Sequence, residues 1–505
     1  MSRYGTPGQE GTSAPEGGAF ARSRECFGAL AGFLGGEEAS GLRHEQLEEE
    51  LTARGRELQR LLLQDHLDLR AAREQRHHDV TPGDQVARTR AEAGHGRALA
   101  SVHGPVTVTR IAYRAPVPGV PNVHPADAAL NLPENKYSHG LAKACALEVA
   151  CGSFTQATDA VQRATGIRLG IRQCEEITQR AAVDADSFYQ CRKPAGVPDG
   201  HVLALTFDGK GIVMRTSALR PATAKAAAEA GRKVAARLSP GEKPNRKRMA
   251  ELAAVYDFEP AARSPGDIIP APGAKDTGPR EPGPKAEGKW LAASVTDDLK
   301  TVVATGFDEA ERRDPRHECT WVALVDGNND QIAAVKAEAK ARGITITITI
   351  DFIHVAEYVW KAGWSFFEPG DPDAADWVAG KLTRILEGHA AAVAAGIRRR
   401  ATRFGYKGAE RKGADTCAAY LDAKRPYLDY ASALAAGRPI ATGVIEGACR
   451  HLVKDRMDIT GARWGLASAE AVLKLRALRA NGDFDQYWQY HLEQEHHRNH
   501  GHIAA

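Results

Sequence analysis

The sequence has no CxxC pair, no stretch near the ~18 apolar residues of a membrane helix and almost no net charge. Its eight cysteines, Cys26, Cys145, Cys151, Cys174, Cys191, Cys319, Cys417 and Cys449, are scattered. They read as reduced, mostly packed thiols of a cytosolic protein, not as a disulfide framework or a structural zinc site. The opening MSRYGTPGQEGTSAPEGG holds no apolar signal core, so secretion is not expected. Lys and Arg number 67 against 64 Asp and Glu, so the whole chain does not announce a nucleic-acid binder. The balance is uneven, however: residues 216–250 carry nine Lys or Arg against two Glu. With 505 residues, 43% of them hydrophobic, there is enough material for a large core and for about three domains.

Residues 1–38 are rich in Gly, Ser and Pro and are expected to be a disordered tail. Within 39–137, Leu47, Leu51, Leu58, Leu62 and Leu69 recur at spacings of 4, 7, 4 and 7, one stripe of an amphipathic helix. A β-hairpin follows over 99–114, where Val106 and Val108 alternate with Thr. Residues 138–190 read as helical with one informative break. Ser153 caps a helix over 154–165, Gly166 ends it, and a second helix runs over about 170–182. This fits a helix-turn-helix in which Arg168, Arg172, Gln173 and Gln179 face DNA; an ordinary helical hairpin is the alternative.

From His201 the pattern changes. LALTFDGKGIVMR reads as strand, turn, strand; ELAAVYDF, KWLAASVT, TWVALVD and a long ITITITIDFI read as further strands, with helices at FDEAERRDP and QIAAVKAEAKA. The order predicts an α/β fold with a ribonuclease H-like core over 200–370, a mixed sheet with helices on both faces. Two excursions interrupt it, a basic one at 216–248 and a Pro/Gly-dense one at 261–288. The second carries few large apolar residues, so replacing 264–286 by a short linker is expected to leave stability unchanged. An all-helical insertion over 371–438 precedes a core helix region at 439–482. Residues 483–505, ending in HLEQEHHRNHGH, read as a solvated tail.

Three carboxylates stand in settings that suit one metal-dependent centre. Asp208 and Asp326 end apolar runs and are each followed by Gly; Glu446 opens a helix rich in Arg and Lys. Three such acids brought together repel one another unless cations sit between them, which is the logic of a two-metal phosphoryl-transfer site. Mg2+ is the expected ion, with Mn2+ as its substitute, because hard cations take oxygen ligands. Asp351 and His354 form a D-x-x-H placed beside this site, where an imidazole can contact phosphate or orient water; a satisfied structural His is the alternative. Arg450, Lys454 and Arg456 are expected to face phosphates. Arg463 and Trp464 offer a cation and a stacking surface, a core Trp being the alternative.

The block IEGACRHLVKDRMDITGARWGLASAEAVLKLRALRANGDFDQYW resembles the C-terminal signature of the ISKra-type insertion-sequence transposases. RRDP, WVALVDGNNDQI and IDFIHVAEYVWKAG resemble internal motifs of that family, which is similar to the broader Mutator-like group of DDE transposases. The resemblance runs from residue 97 to the C-terminus. It implies the pattern Asp208, Asp326, Asp351 with His354, then Glu446 after a helical insertion. It also implies Mg2+-dependent cleavage and strand transfer on double-stranded DNA at terminal inverted repeats, by a nucleoid-associated cytoplasmic protein that oligomerises with copies of itself on DNA. A catalytically silent DNA-binding descendant, or a ribonuclease H-like nuclease without strand transfer, are the competing readings.

Overall fold

The computed structural model describes residues 18–78, 80–229, 246–270, 280–459 and 461–501. They fall into two compact units, Met1–Phe188 with Asp485–Ala505, and Tyr189–Phe484. Among the described residues no helix is long and apolar enough to cross a membrane.

In the first unit part of the predicted disordered tail is helical. Residues 1–17 lie outside the described residues, but Ala21–Leu34 is helical. It is held to the long helix His44–Arg73 by Arg22, whose Nε donates to Asp65 at 2.8 Å. The leucine stripe marks that helix but not its buried side. Leu51 and Leu62 are exposed, whereas Leu63 and Leu67 pack on Leu99, Val106 and Val108 of the hairpin. Strands β1 (Arg90–Ser101) and β2 (Gly104–Arg114) form that hairpin, with a bulge between Glu92 and His95.

Helix Phe154–Thr165 has the predicted cap, Ser153 Oγ accepting from the Gln156 amide. Gly166 adopts φ 76, a left-handed conformation that favours a residue without Cβ, and helix Ile171–Ala181 follows. The expected solvated tail is instead a helix, Phe484–His500. Tyr487 and His491 are buried; Tyr487 Oη donates to Ala181 O at 2.6 Å, and His491 Nδ1 lies 2.7 Å from Asp184 Oδ2. A fragment ending near residue 186 therefore lacks part of its own core.

The second unit is built on a five-stranded mixed sheet in the order β5-β4-β3-β6-β7, with helices packed against it. The strands are β3 (Val202–Val213), β4 (Lys247–Phe258), β5 (Glu287–Ser294), β6 (Thr320–Val325) and β7 (Ile346–Ile350). β3, β4 and β5 pair antiparallel; β6 and β7 run parallel to β3. Two sequence expectations are corrected here. LALTFDGKGIVMR has no turn at Asp208-Gly209, because β4 pairs with β3 from Val202 to Val213 without a break. ITITITIDFI is a five-residue strand, not a long one, because Asp351 caps a helix at Phe352–Gly363, its carboxylate accepting from the Ile353 amide.

Side chains alternate along β3. Leu203, Leu205 and Phe207 enter a core with Trp290, Phe307 and Trp321; Val202 and Ala204 face Tyr256, Leu324 and Val444. A second core joins Val325, Ile350 and helix Phe352–Gly363 to helices Pro372–Leu386, Ala390–Arg403, Gly408–Lys424 and Tyr430–Ala435.

The excursions are less ornamental than their composition suggests. The basic one contains helix Pro221–Glu229; residues 230–245 lie outside the described residues. Arg248 lies in β4 and donates to Val295 O at 2.7 Å, a structural use of its charge. In the Pro/Gly-dense stretch, residues 271–279 lie outside the described residues. Its first part is tied to the insertion: the Ala261 and Arg263 amides donate to Gly437 O and Leu434 O, and Ile268 and Ile269 pack on the insertion's core. Replacing 264–286 by a short Gly/Ser linker is thus expected to destabilise the second unit by about 2 kcal/mol, because the two isoleucines no longer cover that core. The shift in thermal unfolding midpoint against the parent checks this.

Candidate functional site

Strand register builds the site. Thr206 pairs with Leu324 across β3 and β6, and Val325 pairs with Ile350 across β6 and β7. Continued past the paired residues, the register puts Asp208, Asp326 and Asp351 at one level on three neighbouring parallel strands. Asp208 shares the parity of Val202 and Ala204, and Asp326 that of Val322 and Leu324, so both belong to the sheet face where Val444 packs.

Glu446 is carried to that face by helix Gly443–Ala448. Two contacts hold this segment against the strand ends. Thr442 Oγ1 donates to Asp351 Oδ2 at 2.8 Å and lies 3.3 Å from Glu446 Oε1. Cys449 Sγ donates to Asp208 Oδ2 at 3.1 Å. From Cys449 to Lys454 the helix widens to a π-helical turn, a departure that is often found at functional sites. Neither Thr442 nor Cys449 was singled out in the sequence, and nothing in their spacing marks them.

One donor set is Asp351, His354 and Glu446, whose ligand atoms all lie within 4.8 Å of one another. These residues form a group that can hold a metal ion. Asp208 and Asp326 are not members of that group. Asp326 Oδ1 accepts from the Asn328 amide at 2.7 Å, and Asn328 in turn caps helix Asn329–Arg342. Gly327 between them has φ 95, and a Cβ there would stand 2.6 Å from Tyr420 Oη, so a side chain is excluded twice over. Glu251 of β4, opposite Gly209, adds a carboxyl that the sequence did not flag. Burial pushes it above the usual carboxylate range, and the charge of nearby Asp208 adds to the rise while Arg220 opposes it.

Asp351 is fully buried, and His354 Nδ1 lies 3.1 Å from its Oδ2. Burial pushes the Asp351 carboxyl up, but hydrogen bonds from His354, the Ile353 amide and Thr442 overcome it and hold it below its ordinary value. The same hydrogen bond raises His354, against a smaller opposing effect of burial. The contribution of a raised imidazole to stability is present below its unfolded pKa of about 6.5 and is lost as pH climbs through the folded value. That of the depressed carboxyl is present above about 3.9 and is lost as pH falls through its folded value. His354→Gln is therefore expected to lower the unfolding midpoint most near pH about 5–6, with a deficit that shrinks toward pH about 9. The imidazole is partly exposed, so solvent screening keeps the effect modest. Melting curves of parent and variant across that range test it.

The predicted DNA-facing residues divide. Arg168 is exposed; Arg172 is exposed too but ion-paired with Glu176 at 3.0 Å, and Gln173 folds back towards Gly170. Arg450, Lys454 and Arg463 are exposed. Arg456 and Trp464 are corrected: both are buried, the guanidinium lying 4.8 Å from the indole centroid and Trp464 Nε1 donating to Met457 O at 3.0 Å. Trp464 also bridges to Met214 beside the end of β3, so its stacking partner is Arg456.

RRDP is likewise structural. Glu309, wholly buried, pairs with Arg192, Arg312 and Arg313, while Asp314 accepts from Trp321 Nε1 and the Glu318 and Cys319 amides. A second group able to hold a metal ion, His201, Asp257 and Glu287, lies towards the opposite end of β3. The chain matches no protein-family model and no curated protein.

Proposed function

We propose that the chain is a DDE-type DNA transposase that cleaves double-stranded DNA at the ends of an insertion sequence and joins the freed ends to a target. One observation carries this reading: the register of β3, β6 and β7, continued past its last pairs, sets Asp208 level with Asp326 and Asp351, which directly follow β6 and β7, and Glu446 is tied to them through Thr442 and Cys449. The strand order, three antiparallel strands followed by two parallel to the first, is the one expected of a ribonuclease H-like core. The all-helical insertion between β7 and the Glu446 helix supports the same reading.

The donor set fits a hard divalent cation, being carboxylate oxygens with a single imidazole. Asp351, His354 and Glu446, whose ligand atoms lie close together, would hold one Mg2+, or Mn2+ in its place, and Asp208 and Asp326 with Glu446 would be the carboxylates offered to a second. Such ions, when bound, supply the charge that neutralises the attacking and leaving oxygens of a phosphodiester. The protein's own part is positioning. The Asp351 carboxylate, 3.1 Å from His354 Nδ1, fixes the orientation of that ring, so its other nitrogen is turned outward to a metal ion or a phosphate oxygen. Arg450, Lys454 and Arg463, exposed beyond Glu446, neutralise flanking phosphates. Helices Phe154–Thr165 and Ile171–Ala181 recognise the ends, through Arg168 above all, since Glu176 offsets Arg172. Copies of the chain assemble on the paired ends.

Incubating the full chain with Mg2+ and a labelled duplex bearing an element end tests the reading. Nicks at the end and joined products are expected. Nicks without joined products would mark a hydrolytic nuclease instead.

A further inference from the structure

The helical insertion carries a surface that the chemistry above does not use. Helices Phe352–Gly363 and Gly408–Lys424 pack so closely that a Cβ on Gly413 would stand 2.3 Å from Lys361 O. Beside this contact opens a groove of about 680 Å³ whose walls include Trp364, Tyr406, Lys361 and Lys412. Trp364 is 49% exposed although it is a large aromatic, and it is held in place by stacking on Trp360 at 5.2 Å. Tyr406 stacks on Phe404 at 5.5 Å, and Phe404, 56% exposed, lies against the Arg400 guanidinium at 5.5 Å. The aromatic faces are therefore fixed before anything binds.

The segment that carries Tyr406 is rich in cations. Residues 398–412 carry seven Lys or Arg and one Glu. Arg398 and Arg411 are paired with Asp422 and Asp415. Among the described residues, Arg403, Lys407 and Lys412 have no ion-pair partner, and all three are exposed. Glu368 and Glu410 also reach the groove, where a carboxylate can accept from the exocyclic amine of a base.

We infer that this groove binds a single-stranded DNA segment, stacking an unpaired base on Trp364 and Tyr406 with the flanking phosphates on Lys361 and Lys412. An exposed indole beside a partly exposed phenol and solvent-exposed lysines is the combination that single-strand binding sites use, since every base has a face to stack but a duplex hides it. The inference rests on the DNA-acting reading only in its choice of polymer.

The test is fluorescence anisotropy of the full chain with a short labelled oligo(dA). Trp364→Ala is expected to weaken binding about tenfold or more, and Trp364→Phe to restore most of it. Lys412→Gln is expected to flatten the salt dependence. Binding of an end-containing duplex and the melting temperature stay as in the parent. The inference is overturned if the parent does not bind the oligomer, if Trp364→Ala binds it equally well, or if oligo(A) RNA binds more tightly than DNA. Asp326→Asn is expected to bind the oligomer like the parent. A failure of the cleavage reading would thus leave this assay intact, and a failure here would leave cleavage intact.

Discussion

Asp208→Asn, Asp326→Asn and Glu446→Gln are each expected to reduce Mg2+-dependent cleavage of an end-containing duplex several hundredfold or more, about the loss that follows when several kcal/mol of charge neutralisation is removed. Binding of the same duplex should change little, because the exposed cations at Arg168, Arg450, Lys454 and Arg463 are untouched. Stability should hold or rise. Asp208 accepts from Cys449 and lies near Glu251, whose carboxyl is already raised by burial with Asp208 adding to the rise, so removing a negative charge relieves repulsion. That combination, activity lost while melting temperature is kept, separates a metal ligand from a structural acid. Cleavage retained by any one variant takes that residue out of the site.

The second large effect is expected far along the chain. Tyr487→Ala should destabilise the first unit by about 3–5 kcal/mol, the range for truncating a large buried aromatic. Tyr487 is fully buried, packs edge-on against Phe188 at 5.7 Å, and closes the polar end of helix Ile171–Ala181 through Ala181 O. A loss of that size is a large share of the roughly 5–15 kcal/mol that holds an ordinary domain together. Removing 484–505 outright should go further, since it also strips Asp184 of its contacts with His491 and Arg498 and leaves a buried carboxyl without those partners. Urea unfolding followed by far-ultraviolet dichroism reads both changes. An unchanged midpoint for Tyr487→Ala would return residues 484–505 to the status of a tail.

Local signals were legible where a single element decides them. Ser153 and Gly166 bound their helix because a cap and a left-handed residue act within one turn. The apolar runs of β3, β4 and β6 mark strands because both faces of that sheet are covered. The leucine stripe of helix His44–Arg73 misled, since the hairpin packs against Leu63 and Leu67, and periodicity cannot say which of two apolar flanks finds a partner. The C-terminal helix was hidden by its polar composition. Its buried residues, Phe484, Tyr487, Trp488, His491 and His500, are few, and the partners of Tyr487 and His491 lie some three hundred residues earlier.

The acids themselves were visible in the sequence because each ends an apolar run or opens a helix, a pattern that needs no partner to be seen. Their common level was not visible, nor was the role of Asp351 as a buried cap, because register is a property of paired strands. Thr442 and Cys449 became meaningful only when folding brought them to Asp351 and Asp208, 91 and 241 residues away. The same holds for Arg456 and Trp464, a cation and a ring that suit DNA equally well in sequence. Tertiary packing turned them on each other, because burying an indole against a guanidinium removes both from water at once.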